Sequence, residues 1–306
     1  MGLPVAESAT GSPMRVCGFK PGSVSFGIRR ACREKHGAEG APTHEAMYTA
    51  KITFRRPPLE DSEEFVNAVY SQLAGWHQSG QALGDPVLAM TGDVVEVYVM
   101  VATPSALNAE RDNRYAAEYR EAFAAESIVV EILGVVPQAP SSCSCVLPSG
   151  YALYLPIGSR DLPPVCCTDC WERVPLFRFS APDGHSHYHL QNWQKNYLAC
   201  EQVWLSSGYG ERLTARQLAR HDSALSREGR QLCREYEATV GAPFYYALLA
   251  REEPDSATEL TRRCPGCGGD WRLPELLHEF EFRCDDCRLL SELSPEVARE
   301  EKSDRG

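Results

Sequence analysis

Cys264-Pro-Gly-Cys267, then sixteen residues, then Cys284-Asp-Asp-Cys287: this stretch near the C-terminus decides how the chain is built. Two Cys-x-x-Cys pairs at that separation suit a tetrahedral structural zinc site, one pair per knuckle. Pro265 and Gly266 favour a tight turn whose amides point at thiolate sulfur, and Gly268 and Gly269 let the chain leave the knuckle. The alternative is two disulfides or four free thiols. A terminal zinc ribbon over residues 261–293 is the expectation, with residues 294–306 as a tail.

A second cysteine group lies upstream. Cys143-Ser-Cys145 and Cys166-Cys167-Thr-Asp-Cys170 flank a strand-like run, Tyr151–Ile157. Cys143, Cys145, Cys167 and Cys170 can supply four more sulfurs, with a strand between the pairs as in a zinc ribbon. The first pair has one intervening residue rather than two, and Cys166 could replace Cys167 as the ligand. Residues 137–189 are read as this first zinc-ribbon-like segment, and two zinc ions per chain are expected.

The 306 residues are enough for several domains, and no apolar run approaches the ~20 residues that span a bilayer. No apolar signal stretch opens the chain, so a cytoplasmic location and no membrane partner are expected. Thirteen cysteines in a chain of this kind read as metal ligands rather than disulfides. The formal charge of −11 argues against strong nonspecific gripping of phosphates by the whole surface, though a local basic face remains compatible with it.

Residues 1–46 are rich in Gly, Ala, Pro and Ser and carry Arg29, Arg30, Arg33 and Lys35. They read as a flexible extension, with Met47 as a natural start. Residues 47–136 are legible in order. Tyr48–Phe54 alternates as a strand, and Asp61 or Ser62 caps a helix to about Trp76, with Phe65, Val66, Val69 and Leu73 inward. Pro86–Thr91 and Val94–Val101 form a hairpin around Gly92-Asp93. A second helix is expected from about Ala106 to Ala124, then a strand over Ser127–Val135. This βαββαβ order is that of a ferredoxin-like domain, so the fold class is α+β. Many RNA-binding domains share the order, but Thr49, Lys51 and Thr53 on the outward side make a poor stacking platform.

Residues 190–260 read as helical. Trp193, Tyr197 and Cys200 lie on one helix face as a core stripe. Leu213, Leu218, Leu225, Leu232 and Tyr236 are expected inward, with a break near His221–Ser226. Arg212, Arg216 and Arg220 share one helix face, and Arg227, Arg230 and Arg234 continue on the next. They are either a solvated face paired with Glu211, Asp222, Glu228 and Glu235, or an anion-binding face.

No nucleophile elbow, phosphate-cradling loop or dinucleotide fingerprint is present, so a non-enzymatic protein is expected. Four sulfurs close a zinc shell, whereas catalytic zinc keeps a position for water. His185, His187 and His189 alternate and would share a face on a strand. The preceding Pro182-Asp183-Gly184 favours an exposed turn with incidental histidines. His221 and His278 read as local surface or packing groups.

Cys143-Ser-Cys145, Cys167-x-x-Cys170, Trp193-x-x-x-Tyr197-x-x-Cys200, Glu211-Arg212, Arg216-Gln217, Ser223-x-Leu225-Ser226, Tyr245-Tyr246 and the Arg263–Ser291 ribbon occur in that order. Over residues 47–293 the chain resembles an uncharacterised bacterial family described as zinc-ribbon-containing, with nucleic-acid binding inferred from the ribbons. The resemblance implies zinc and either a nucleic-acid or a protein partner. Between Thr261 and Leu290, five arginines face six carboxylates, so the terminal ribbon is not basic in aggregate. That balance favours the arginine-bearing helices as the nucleic-acid surface; ribbons used as protein-docking elements are the alternative.

Overall fold

Alternation in Tyr48–Arg55 puts Ala50, Ile52 and Phe54 inside and leaves Thr49, Lys51 and Thr53 half-exposed on the other face. This strand, β1, belongs to a computed structural model that describes residues 46–57, 61–124, 126–250, 256–294 and 297–299. The chain divides into two units, Met1–Ala41 and Pro42–Gly306, and every described residue lies in the second. The expected extension therefore falls almost wholly outside the described residues, as does most of the tail.

Helix α1, Ser62–Gln78, starts where the Asp61 side chain accepts the amides of Glu63 and Glu64 at 2.8 and 3.3 Å. Phe65, Val69, Leu73 and Trp76 follow at helical spacing and are buried against the sheet; Val66 is only partly covered. The hairpin of β2 (Ala82–Thr91) and β3 (Val94–Val101) turns at Gly92, whose φ of +60° is costly for a side-chain-bearing residue. Strand β4 is Ile128–Val135. All pairs in this sheet are antiparallel, in the order β2-β3-β1-β4.

The expected helix over 106–124 is cut down to α2, Arg114–Arg120, preceded by a single 3-10 turn at Ala109–Arg111. Asp112 is the reason. Its carboxylate is held by Trp76 Nε1 at 3.2 Å, Gln81 Nε2 at 3.0 Å and Arg120 Nη2 at 3.0 Å. Asn113 then caps a new helix by accepting the amide of Ala116 at 2.8 Å.

The second sheet joins segments far apart in sequence. Its order is β6-β5-β7-β10-β9-β8, with β5 Tyr151–Leu153, β6 Val165–Cys167, β7 Phe244–Leu248, β8 Arg272–Leu277, β9 Phe280–Cys284 and β10 Leu289–Ser291. Strand β7 lies parallel to both β5 and β10, so one central strand carries an antiparallel hairpin on each side. β5 is shorter than the expected Tyr151–Ile157 because Pro156 cannot donate to a ladder.

Strand β7 corrects the reading of 190–260 as helical throughout. Helices α3 (Tyr188–Ser206), α4 (Glu211–Ala219) and α5 (Ala224–Val240) are present, with a short α6 at Ser256–Leu260. Gly241, at φ +75°, ends α5, and Phe-Tyr-Tyr-Ala-Leu is buried at every position, as a central parallel strand is. Leu213 is 66% exposed rather than inward, because α4 buries Thr214 and Leu218 and Leu213 lies about 100° round the helix from Thr214.

Helices α3 and α5 cover one face of this sheet. Trp193 and Tyr197 of α3 and Leu225, Leu232 and Tyr236 of α5 pack with Phe244 and Tyr246 of β7. The two halves are tied by the His187 amide to Gln78 O at 2.9 Å and by Ser142 Oγ to Ala102 O at 3.0 Å. Among the described residues no helix is long and apolar enough to cross a membrane.

Candidate metal centres

Cys143, Cys145, Cys167 and Cys170 converge, with all four sulfurs within 4.8 Å of one another. Cys143 lies where its amide donates to Arg173 O at 2.7 Å. Arg178 donates through Nη1 to Cys143 O at 2.6 Å and through Nη2 to Cys145 O at 2.5 Å, which locks the first knuckle. The second knuckle follows β6. Trp171 takes a left-handed φ of +61° so that its amide can return to Cys167 O at 2.9 Å. The amides of Cys145 and Asp169 point at Cys143 and Cys167 sulfur, each at 3.4 Å.

The choice between Cys166 and Cys167 is decided by strand parity. Cys167 pairs with Tyr151 and faces the helices, whereas Cys166 pairs with Ala152 and faces away. Cys166 is buried apart from the cluster, and that burial pushes its thiol up to about 11.

Cys264, Cys267, Cys284 and Cys287 form the second group, again within 4.8 Å. Cys264 and Gly269 close the first knuckle through Cys264 N to Gly269 O at 2.9 Å and Gly268 N to Cys264 O at 2.8 Å. Gly266 must lack a side chain, since a Cβ there would fall 2.6 Å from Cys287 Sγ. The second knuckle ends at Arg288, which grips Glu237 of α5 with Nε to Oε2 and Nη2 to Oε1 both at 2.9 Å.

A tetrahedral ion bound to sulfur at ~2.3 Å needs sulfurs ~3.8 Å apart, and Cys267 and Cys284 sulfurs are already 3.7 Å apart. Without a cation, sulfurs packed this closely share protons. Hydrogen bonding with the Cys167 and Cys170 thiols holds Cys143 down at about 2, and the same bond with Cys143 pushes Cys167 up to about 12. At the other group the Gly269 amide, with the Cys264 thiol, lowers Cys267, while burial raises Cys287. A divalent cation replaces the shared protons and lets all four sulfurs be thiolates. Both donor sets fit a metal ion.

The two groups share one face of one sheet. Cys167 pairs with Tyr151, which pairs with Phe244; Cys284 pairs with Leu289, which pairs with Tyr246. Phe244 and Tyr246 are two residues apart on β7, so all six side chains point to the helix-covered side. Four strand spacings separate the cysteine-bearing strands β6 and β9, roughly 20 Å.

The arginines do not act alike. Arg220 is paired with Asp222, Nε to Oδ1 and Nη2 to Oδ2 both at 2.8 Å. Arg230 is half-buried beside the C-terminal group; it donates to His221 O at 3.2 Å and its charge interacts with Cys287. Arg234 reaches Gln231. Arg212, Arg216 and Arg227 are exposed and make no ion pair among the described residues. Of the acidic partners expected for these arginines, Asp222 is the one that pairs.

The three histidines do not share a strand face. The segment turns at Asp183, whose carboxylate accepts the amides of His185 and Ser186, and then enters α3. His187 points inward, with Nδ1 2.6 Å from Tyr236 Oη, while His185 and His189 are exposed. Among the described residues the only groups of metal-ligating side chains are the two cysteine sets. His278 stacks on Trp171 with centroids 5.0 Å apart and reaches Thr168 O at 2.7 Å, so it packs the first knuckle against the β8–β9 turn. Arg173, Arg178 and His278 support the first centre through contacts that no local motif announces.

These features define an α+β protein with two tetracysteine groups on one sheet, each able to hold a metal ion. Residues 148–249 match a family model described as Domain of unknown function (DUF2310), and residues 254–297 match Domain of unknown function (DUF8594). The second match holds the whole C-terminal group, whereas Cys143 and Cys145 precede the first. An uncharacterized protein of Haemophilus influenzae (strain ATCC 51907 / DSM 11121 / KW20 / Rd) is 28% identical over 261 residues, covering 81% of this chain and 98% of that protein. A second uncharacterized protein of the same strain is 35% identical over 122 residues, 40% of this chain and 60% of that protein. No solved structure matches the chain.

Proposed function

We propose that the protein is a non-enzymatic, cytoplasmic zinc protein that binds nucleic acid through arginines held between two zinc ribbons. Zinc is the ion that closed tetrathiolate shells favour, and a reducing compartment keeps eight thiols available for it. A closed shell leaves no position for a reacting water, which supports a structural rather than catalytic role for both ions. On this reading residues 47–136 are a ferredoxin-like support.

The observation that carries the nucleic-acid reading is the set of exposed arginines without acidic partners, Arg212, Arg216 and Arg227, on helices beside the C-terminal group. On a chain of net charge −11, such cations are available for phosphate rather than internal pairing. Replacing Arg212, Arg216, Arg227 and Arg234 together by Gln is expected to weaken binding to single- and double-stranded DNA and RNA. The slope of log affinity against log salt should fall by up to about 0.9 for each phosphate that is no longer neutralised. Absence of any binding by the unaltered protein at low salt would end this reading.

A second reading rests on Val146 and Leu147, which are 87% and 90% exposed at the tip of the first knuckle. They suit ribbons used as protein-docking elements. A partner retained after nuclease treatment, and absent with a Val146→Ser, Leu147→Ser variant, would favour it.

A further inference from the structure

The two cysteine groups differ in how solvent reaches them. In the first, Cys143 and Cys167 are buried, Cys145 and Cys170 are half-buried, and Arg178 pins the Cys143 and Cys145 carbonyls. In the second, Cys267 is exposed, alone among the eight sulfur ligands. Its neighbours cannot shield it. Gly266, Gly268 and Gly269 bring no side chains, and a Cβ added at Gly268 would meet nothing within 4 Å. Cys284 sulfur lies 3.7 Å away, within reach of a small shift.

We propose that Cys267 is a modification site through which hydroperoxides oxidise the C-terminal centre and release its zinc, while the first centre keeps its ion. The proposal rests on both groups holding zinc. Thiolate reactivity toward peroxides follows access as well as ionisation, and access is what separates the two centres. The Cys267 sulfur attacks one peroxide oxygen. With hydrogen peroxide the O–O bond breaks, the departing hydroxide takes a proton from a buffer acid, and Cys267 becomes a sulfenic acid. Cys284 thiolate then attacks the Cys267 sulfur, an S–S bond forms, and the S–O bond breaks to give a second hydroxide, which is also protonated. Two thiolates lose two electrons and the peroxide is reduced to two waters. Two of the four ligands are now neutral disulfide sulfurs, so the ion departs.

The test uses the full chain purified with its zinc and treated with one to a few equivalents of hydrogen peroxide. Zinc release is followed with a chromogenic chelator, and modified cysteines are mapped by peptide mass spectrometry. One ion is expected to leave about tenfold faster than the other, together with a disulfide joining Cys267 to a cysteine of its own group. A parallel sample receives one equivalent of N-ethylmaleimide, which does not depend on any substitution folding, and the label is expected on Cys267. Equal release of two ions, or first modification at Cys143, Cys145, Cys167 or Cys170, would overturn this proposal alone. Protein isolated without zinc would overturn the metal reading and this proposal with it.

Discussion

Gly229 of α5 rests directly on the ring of Tyr246, so close that a Cβ at Gly229 would lie 2.2 Å from Tyr246 Cε2 and 2.8 Å from Trp193 Nε1. This close approach fixes the height of α5 above β7, the strand to which both cysteine hairpins are hydrogen-bonded. Trp193 is held in turn by its Nε1 bond to Leu225 O at 3.1 Å. None of these atoms has free space behind it, because Trp193 and Tyr246 are fully buried.

Gly229→Ala is therefore expected to destabilise the protein by about 1–3 kcal/mol, the usual cost of forcing extra volume into a packed core. The helix-favouring effect of Ala, about 1 kcal/mol, opposes this and should not overcome it. Urea unfolding of the two proteins, each as isolated, measures the difference. An unchanged or raised midpoint would show that α5 can lift off β7 without cost.

Metal content separates the two centres. If each group holds one zinc ion, as proposed, Cys143→Ser and Cys264→Ser should each lower bound zinc from two ions per chain to one, since three sulfurs hold a structural ion poorly. Cys166→Ser should leave it at two, because Cys166 faces the other side of β6. Elemental analysis of the three variants settles the ligand sets. One ion per chain in the unaltered protein would remove the first centre.

The parts of the fold that could be read in the sequence are those whose signals are local. Alternation in Tyr48–Arg55, the Asp61 cap and the Gly92 turn each act within a few residues, and the cysteine pairs announce their own knuckles. Phe244–Leu248 is not legible as a strand, because five consecutive apolar residues carry no period; its identity comes from β5 and β10 on either side. Cys166 and Cys167 differ only in strand parity, which pairing with Tyr151 fixes. The arginine spacing is visible, but the pairing of Arg220 with Asp222 and the burial of Arg230 depend on where α4 stops and α5 begins.

Gln72 offers a stabilising change. It is fully buried on the inner side of α1, and neither its Oε1 nor its Nε2 has a hydrogen-bond partner among the described residues. Each unmet polar group costs about 1–3 kcal/mol when taken from water. Gln72→Met, close in volume and shape, is expected to raise stability by about 1–2 kcal/mol by removing that cost. The midpoint of chemical unfolding reports it, and a loss of stability would mean that the amide is satisfied in solution.

His187 makes stability depend on pH. It is 4% exposed and stacks on Tyr236, and burial lowers its pKa to about 4. In the unfolded chain the same imidazole titrates near 6.5. Between those values the unfolded state binds a proton that the folded state refuses, so stability falls as pH drops from about 6.5 toward 4. Below about 4 both states are protonated and the slope ends. The full effect is on the order of 3 kcal/mol. Acid also protonates cysteines that would hold a metal, so the comparison must isolate the histidine. His187→Gln removes the titrating group while retaining a polar side chain near Tyr236 Oη. The difference in unfolding free energy between the unaltered protein and His187→Gln should therefore shrink steadily from pH 7 to pH 5, whereas loss of any bound metal affects both proteins alike. A difference that stays constant over that range would mean that His187 titrates in the folded protein as it does in water.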